Sequence, residues 1–152
     1  MWRYRSRHWA LGPKKAAGNI IMSPFKTTPY RVYVYDTDVA GVVHHSNYLR
    51  YFEAGRIEFL RHLELPYIDF QHKGIGFVPI NIDIKYHYPL REDDEYIVTV
   101  ELIELKKASF IVKQGVESNT KINVSATIQL ACVKEPEFKP QRLPESLTQA
   151  LK

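Results

Sequence analysis

Apolar and polar positions change their rhythm at Thr28. From there Tyr30, Val32 and Val34 alternate with Arg31, Tyr33 and Tyr35, which predicts a strand over 30–35. Turn chemistry ends it at Asp36-Thr37-Asp38, with Gly41 close behind. A longer rhythm follows. Tyr48, Phe52, Gly55, Phe59 and Leu63 recur at spacings of 4, 3, 4 and 4, one stripe of a long helix, while Glu53, Arg56 and Arg61 lie off it. Ser46 or Asn47 suits its N-cap. Glycine costs a helix about 1 kcal/mol relative to alanine. Gly55 on the apolar stripe therefore predicts that something packs very close.

Leu65-Pro66 breaks this helix, and 67–73 reads as a short second one. After Gly74 and Gly76 the alternation returns. It predicts strands over 77–88, 96–105, 108–116 and 121–133, with polar turns between them. Pro136, Pro140 and Pro144 mark an irregular tail, with a short helix from Glu145. One strand, one long helix and four strands joined by short connectors predict an antiparallel sheet with the helix on one face, an α+β class.

Hydrophobic residues make up 45% of the 152, which suits one packed core and is too many for a disordered chain. The formal net charge of +4 invites a nucleic-acid reading until the charge is located. Arg3, Arg5, Arg7, Lys14, Lys15 and Lys26 all precede Tyr30, and no acidic residue accompanies them. From Tyr30 on, 15 basic residues face 17 acidic ones. The electrostatic case for a nucleic-acid partner therefore fails for the folded body.

Residues 1–28 are set aside as a basic leader, disordered or not native. They read as an organelle-type presequence or as translated upstream sequence before Met22, and the second is the working expectation. The expected domain is 29–146, with 147–152 as a C-terminal tail. No run of 18 apolar residues is present, so no spanning helix is expected. A single cysteine, Cys132, excludes an internal disulfide and suits a reducing, cytoplasmic setting.

Candidate chemistry gathers between the first strand and the long helix, at Asp36, Asp38, His44, His45 and Ser46. A helix start offers unpaired N–H groups and partial positive charge. Together with a carboxylate and an imidazole they suit acyl transfer. Each residue also has a structural reading, since Asp is a default turn residue. Adjacent histidines lack the spacing that puts two metal ligands on one helix face, so neither metal nor cofactor is expected. An Asp-Thr-Asp of the sugar-transferase kind lacks a nucleotide fingerprint beside it. Cys132 sits in an apolar run as core packing. No Gly-x-Ser-x-Gly elbow supports a serine nucleophile.

Residues 36–48, DTDVAGVVHHSNY, strongly resemble the signature of the 4-hydroxybenzoyl-CoA thioesterase family of hotdog-fold proteins. They are most similar to its YbgC-like acyl-CoA thioesterase branch, with the pattern Asp-Thr-Asp-x-x-Gly-Val-Val-Tyr-His-x-x-Tyr. Glu53-Ala54-Gly55-Arg56, and Tyr86-His87-Tyr88-Pro89-Leu90 with Asp94, extend the likeness over about 29–146. His44 departs from the pattern, standing where this branch has Tyr.

The resemblance implies a hotdog fold, a long helix wrapped by a five-stranded antiparallel sheet. It implies dimers or homotetramers with active sites between subunits, and thioester hydrolysis without a cofactor. Asp38 matches the catalytic carboxylate and His45 a residue lining the site, with Val43, His44 and Ser46 around the helix start. Asp36 matches the first Asp of the pattern and is expected to hold the turn. Tyr48, with Tyr51 and Phe52, is expected near the acyl group. Arg91 and Lys107, with Lys106, Lys139 and Arg142, are surface candidates for the coenzyme A phosphates. The alternatives are a scaffold that binds an acyl carrier protein, an acyl-carrier thioesterase, and a hotdog hydratase or dehydratase.

Overall fold

A computed structural model describes residues 23–152; residues 1–22 of the expected leader lie outside it. In chain order the elements are β1 (Phe25–Lys26), β2 (Tyr30–Arg31), a 3-10 turn (Val34–Asp36), α1 (Asn47–His62) and α2 (Tyr67–His72). Then come β3 (Ile75–Tyr86), β4 (Glu95–Leu105), β5 (Ser109–Ser118), β6 (Lys121–Lys134), β7 (Lys139–Pro140) and α3 (Glu145–Ala150). The long strands run antiparallel in the order β4-β5-β6-β3. β1 and β2 add to β4, and β7 adds to β6, so the sheet has seven strands rather than five.

The core lies between α1 and one face of this sheet. Val98 pairs with Val116 and Val116 with Val124, and all three are buried. Leu102, Val112 and Ile128 make a second cross-strand row on the same face. Against these rows α1 sets Tyr48, Phe52, Gly55 and Phe59. A β-carbon on Gly55 would collide with Val98 Cγ1 and lie 3.1 Å from Val98 Cβ. The expected close approach is therefore strand β4. One polar side chain enters this core. Gln114 Nε2 donates to the Phe52 carbonyl at 3.0 Å, and its Oε1 accepts from Arg56 Nη1 at 2.9 Å. Both ends of the amide are satisfied, so it ties sheet to helix without the cost of an orphaned polar group.

The expected first strand is shorter than its alternation suggests. Pairing stops at Arg31, and Val34–Asp36 turns back on itself. The Asp36 carboxylate accepts the Tyr33 N–H at 3.0 Å, and the Asp36 N–H donates to the Tyr33 carbonyl at 2.9 Å. Tyr33, Val34 and Tyr35 are exposed, so their alternation faces no core. The folded unit also reaches past 29–146 at both ends. Phe25 pairs with Val100, and Leu147 and Leu151 are buried in the core.

One long edge is open. Among the described residues β3 pairs only with β6, and its outer side meets no strand. Residues 79–83 are exposed throughout, including Ile80 at 59%. No helix among the described residues is long and apolar enough to cross a membrane.

Candidate active site

The connection from the 3-10 turn to α1 is a small hairpin. The His44 N–H donates to the Asp36 carbonyl, Thr37 bridges to Val43, and the Asp38 N–H donates to the Val42 carbonyl. The turn closes with the Gly41 N–H on the Asp38 carbonyl at 3.0 Å, and Gly41 holds φ +76, which glycine adopts without strain. Asp38 is half-buried, and its Oδ1 caps the Ala40 N–H at 2.8 Å. The turn-forming role of this residue is thus real. Its other carboxylate oxygen meets no partner among the described residues, which leaves a base or nucleophile available.

Asp36 does a different job. It is 4% exposed, and its carboxylate accepts from Tyr33 N–H and from Arg50 Nη2, each at 3.0 Å. Its carbonyl also receives Asn47 Nδ2 at 2.7 Å. The first aspartate braces the hairpin onto α1, and the second is presented. Sequence reasoning misses Arg50 and Asn47 in this role, because they meet Asp36 only in three dimensions and their spacing carries no signal.

At the helix start the peptide groups are used unequally. The His44 carbonyl accepts the Asn47 N–H at 2.9 Å. The Ser46 N–H reaches His44 Nδ1 at 3.2 Å, and Ser46 Oγ lies 2.7 Å from the same nitrogen. Ser46 holds the N-cap position, yet its hydroxyl serves His44 and caps no helix N–H. The His45 N–H donates to no group among the described residues. Its exposed ring lies 4.3 Å from the His44 ring. Val43 is buried behind the site, its N–H on the Leu90 carbonyl at 2.8 Å.

The other expected site residues divide. Arg91 is exposed and bridges to Val42, so it stands beside the hairpin. Lys106 and Lys107 are exposed at the far end of β4, roughly 30 Å along the strand from Arg91 at the usual rise per residue. Within one chain Lys107 cannot serve the same site. Lys139 and Arg142 lie beyond β6, near Lys107, to whose carbonyl the Leu143 N–H donates. Tyr48, Tyr51 and Phe52 are core residues. The Tyr48 hydroxyl accepts the Leu90 N–H at 3.1 Å, so it is committed inside the core. Burial raises the pKa of the Tyr48 and Tyr51 phenols, so both stay protonated.

Of two hollows among the described residues, only the second reaches this region, and Asp38 lines neither. A cavity of about 40 Å³ lies under α1, walled by Arg56, Phe59, Tyr67, Phe110 and Leu147. A shallow cleft of about 540 Å³ is walled by Tyr30, Tyr33, Tyr35, Asp36, Arg50 and Tyr96. Among the described residues no three His, Cys, Asp or Glu side chains converge as metal ligands.

Residues 32–151 match the family model described as the thioesterase-like superfamily. The chain belongs to that superfamily. Its relatives place it in the YbgC-like branch. It is 35% identical to an acyl-CoA thioesterase YbgC of Haemophilus influenzae over 80% of this chain and 90% of that one. It is 32% identical to an acyl-CoA thioester hydrolase YbgC of Escherichia coli over 82% of this chain and 93% of that one. Among solved structures, a hypothetical protein of Aquifex aeolicus matches with TM-score 0.79 and 36% identity, covering 85% of this chain and all of the other. A gentisyl-coenzyme A thioesterase matches with TM-score 0.77 and 26% identity, covering 82% and 98%. The expected hotdog architecture, α+β with one long helix, agrees with these neighbours.

Proposed function

We propose that the chain hydrolyses an acyl-CoA thioester to free acid and coenzyme A, with Asp38 and the start of α1 as its reacting groups. The observation that carries this reading is their shared hairpin. Asp38 keeps one carboxylate oxygen unpaired, and His45, at the positive end of α1, keeps its N–H unpaired. A thioester carbonyl lying between them meets a donor on its oxygen and a carboxylate at its carbon. Such a donor is worth about 3 kcal/mol in the transition state, some hundredfold in rate. Asp38 either draws a proton from water or attacks the carbonyl carbon itself. The His45 imidazole orients that water or hydrogen-bonds the departing sulfur. A thiol pKa of about 8.5 makes the leaving group undemanding.

The site needs a second copy of the chain. Asp38 stands on an exposed hairpin, and the open edge of β3 beside it carries exposed Ile80 and Ile82. Pairing of two β3 strands about a two-fold axis would cover that edge and wall the site. Arg91, next to its own hairpin, is the phosphate candidate for that site. The relatives named for acyl-CoA support coenzyme A as the carrier.

The test is release of free thiol from a panel of short aliphatic, long aliphatic and aromatic acyl-CoA esters and acyl-carrier thioesters. Turnover on at least one coenzyme A ester is expected. Asp38→Asn should lower it by about hundredfold or more. Undiminished turnover in that variant would remove Asp38 from the mechanism. Silence on every thioester, with tight binding of an acyl carrier protein, would replace the enzyme by a scaffold.

A further inference from the structure

The two ends of the His45–Ser46 peptide are both held from outside the helix. Its N–H points to His44 Nδ1, as described above. Its carbonyl oxygen, which enters no helical bond among the described residues, accepts the Tyr86 hydroxyl at 3.0 Å. Tyr86 is the last residue of β3, 41 positions further along the chain. The preceding peptide is fixed by the Asn47 N–H on the His44 carbonyl. His45 is therefore the residue between two clamped peptide planes. The first plane carries its free N–H; the second, by holding the far side of its Cα, fixes where its imidazole leaves the backbone.

From this contact we infer that Tyr86 is a positioning residue for the reaction proposed above: its phenol fixes the peptide after His45 and thereby holds the His45 Cα and aims its imidazole at the reacting thioester. This rests on the thioesterase reading of the same site. Tyr86 does not act on substrate itself. It acts through the His45 peptide. A fixed imidazole costs no reorganisation as it orients the attacking water or meets the departing sulfur, whereas a swinging one does. The ring is supported as well as the hydroxyl. It meets the Tyr48 ring edge-on, with centroids 5.7 Å apart and planes at 68°. Burial raises the Tyr86 pKa, so the phenol remains a donor through the neutral range.

Tyr48 supplies the control. Both hydroxyls hold backbone near α1, but Tyr48 takes the Leu90 N–H inside the core. Removing one should disturb catalysis and removing the other should disturb folding. The experiment compares Tyr86→Phe and Tyr48→Phe with the full-length protein on its best acyl-CoA ester, reading kcat, KM and Tm. Tyr86→Phe is expected to lower kcat about tenfold with KM within about twofold, because aim and not affinity is lost. Its Tm should stay within about 2 °C, as the phenol is 42% exposed. Tyr48→Phe is expected to lower Tm and to spare kcat.

Wild-type kcat in Tyr86→Phe overturns the inference, and so does a loss of kcat that only parallels a loss of folded protein. An equal rise in KM at constant kcat overturns it too, since that would make Tyr86 a binding residue. If the wild type is active, Asp38→Asn is dead and Tyr86→Phe is unimpaired, only this inference falls. If no thioester is cleaved, the functional reading falls and takes this one with it.

Discussion

The two aspartates of one turn divide the labour. Asp36 is enclosed and accepts from a main-chain N–H and from Arg50, whereas Asp38 is held by one oxygen and presents the other. The Arg50 side chain is 62% exposed, so its pair with Asp36 is screened by water on one side. Removing Arg50 still leaves a nine-tenths buried carboxylate with less compensation. Arg50→Met should therefore cost about 1–2 kcal/mol in urea unfolding, with some loss of turnover as the hairpin loosens. An unchanged unfolding curve would show that Tyr33 N–H alone suffices for Asp36. His87 gives a pH prediction. Burial, and secondarily the charge of Lys85, lowers the pKa of its imidazole, which also lies 2.9 Å from Ser125 Oγ. The unfolded chain binds that proton more readily. Stability is thus full above the ordinary histidine value of about 6.5 and falls as pH drops below it. The Tm difference between about pH 7.5 and 5.5 should shrink in His87→Gln.

At the scale of elements, Gly55 is the contact through which α1 settles on β4. Alanine there gains helix propensity of about 1 kcal/mol but forces Val98 aside, and overpacking of this kind costs about 1–3 kcal/mol. Gly55→Ala should lower the unfolding midpoint, and Val98→Ala in the same chain should recover part of the loss. This contact was legible in the sequence because a glycine on the apolar stripe of a helix marks a point where even a methyl group would not fit. The long helix and the four long strands were legible because one side of each is buried, so periodicity records it. The stretch from Tyr33 to Tyr35 misled because its alternation is real but faces water. Side-chain capture of backbone groups decides that stretch, through Asp36 on Tyr33. Hydropathy carries no trace of it. At the site the motif marked Asp38 and the helix start. Arg50, Asn47 and Tyr86 stayed hidden, because each reaches the hairpin from an element whose packing had first to be known.

Taken whole, the molecule has a finished face and an unfinished one. α1 and the inner sheet surface bury each other, while β3 offers main-chain donors and acceptors beside Ile80 and Ile82. A lysine in the middle of that edge is a known deterrent to strand pairing. Ile80→Lys should halve the mass seen in sedimentation and silence hydrolysis together. A variant that stays paired, or a monomer that retains full turnover, would separate the edge from the site.

The core also fixes what an assay of this chain will look like. Cys132 is the chain's single sulfhydryl, it is 0% exposed, and burial raises its pKa. Thiolate, the form that attacks a chromogenic disulfide, is therefore both scarce and out of reach. Colour appearing in such a reagent comes from liberated coenzyme A and not from the catalyst, and a baseline that creeps upward on warming times the opening of the protein itself.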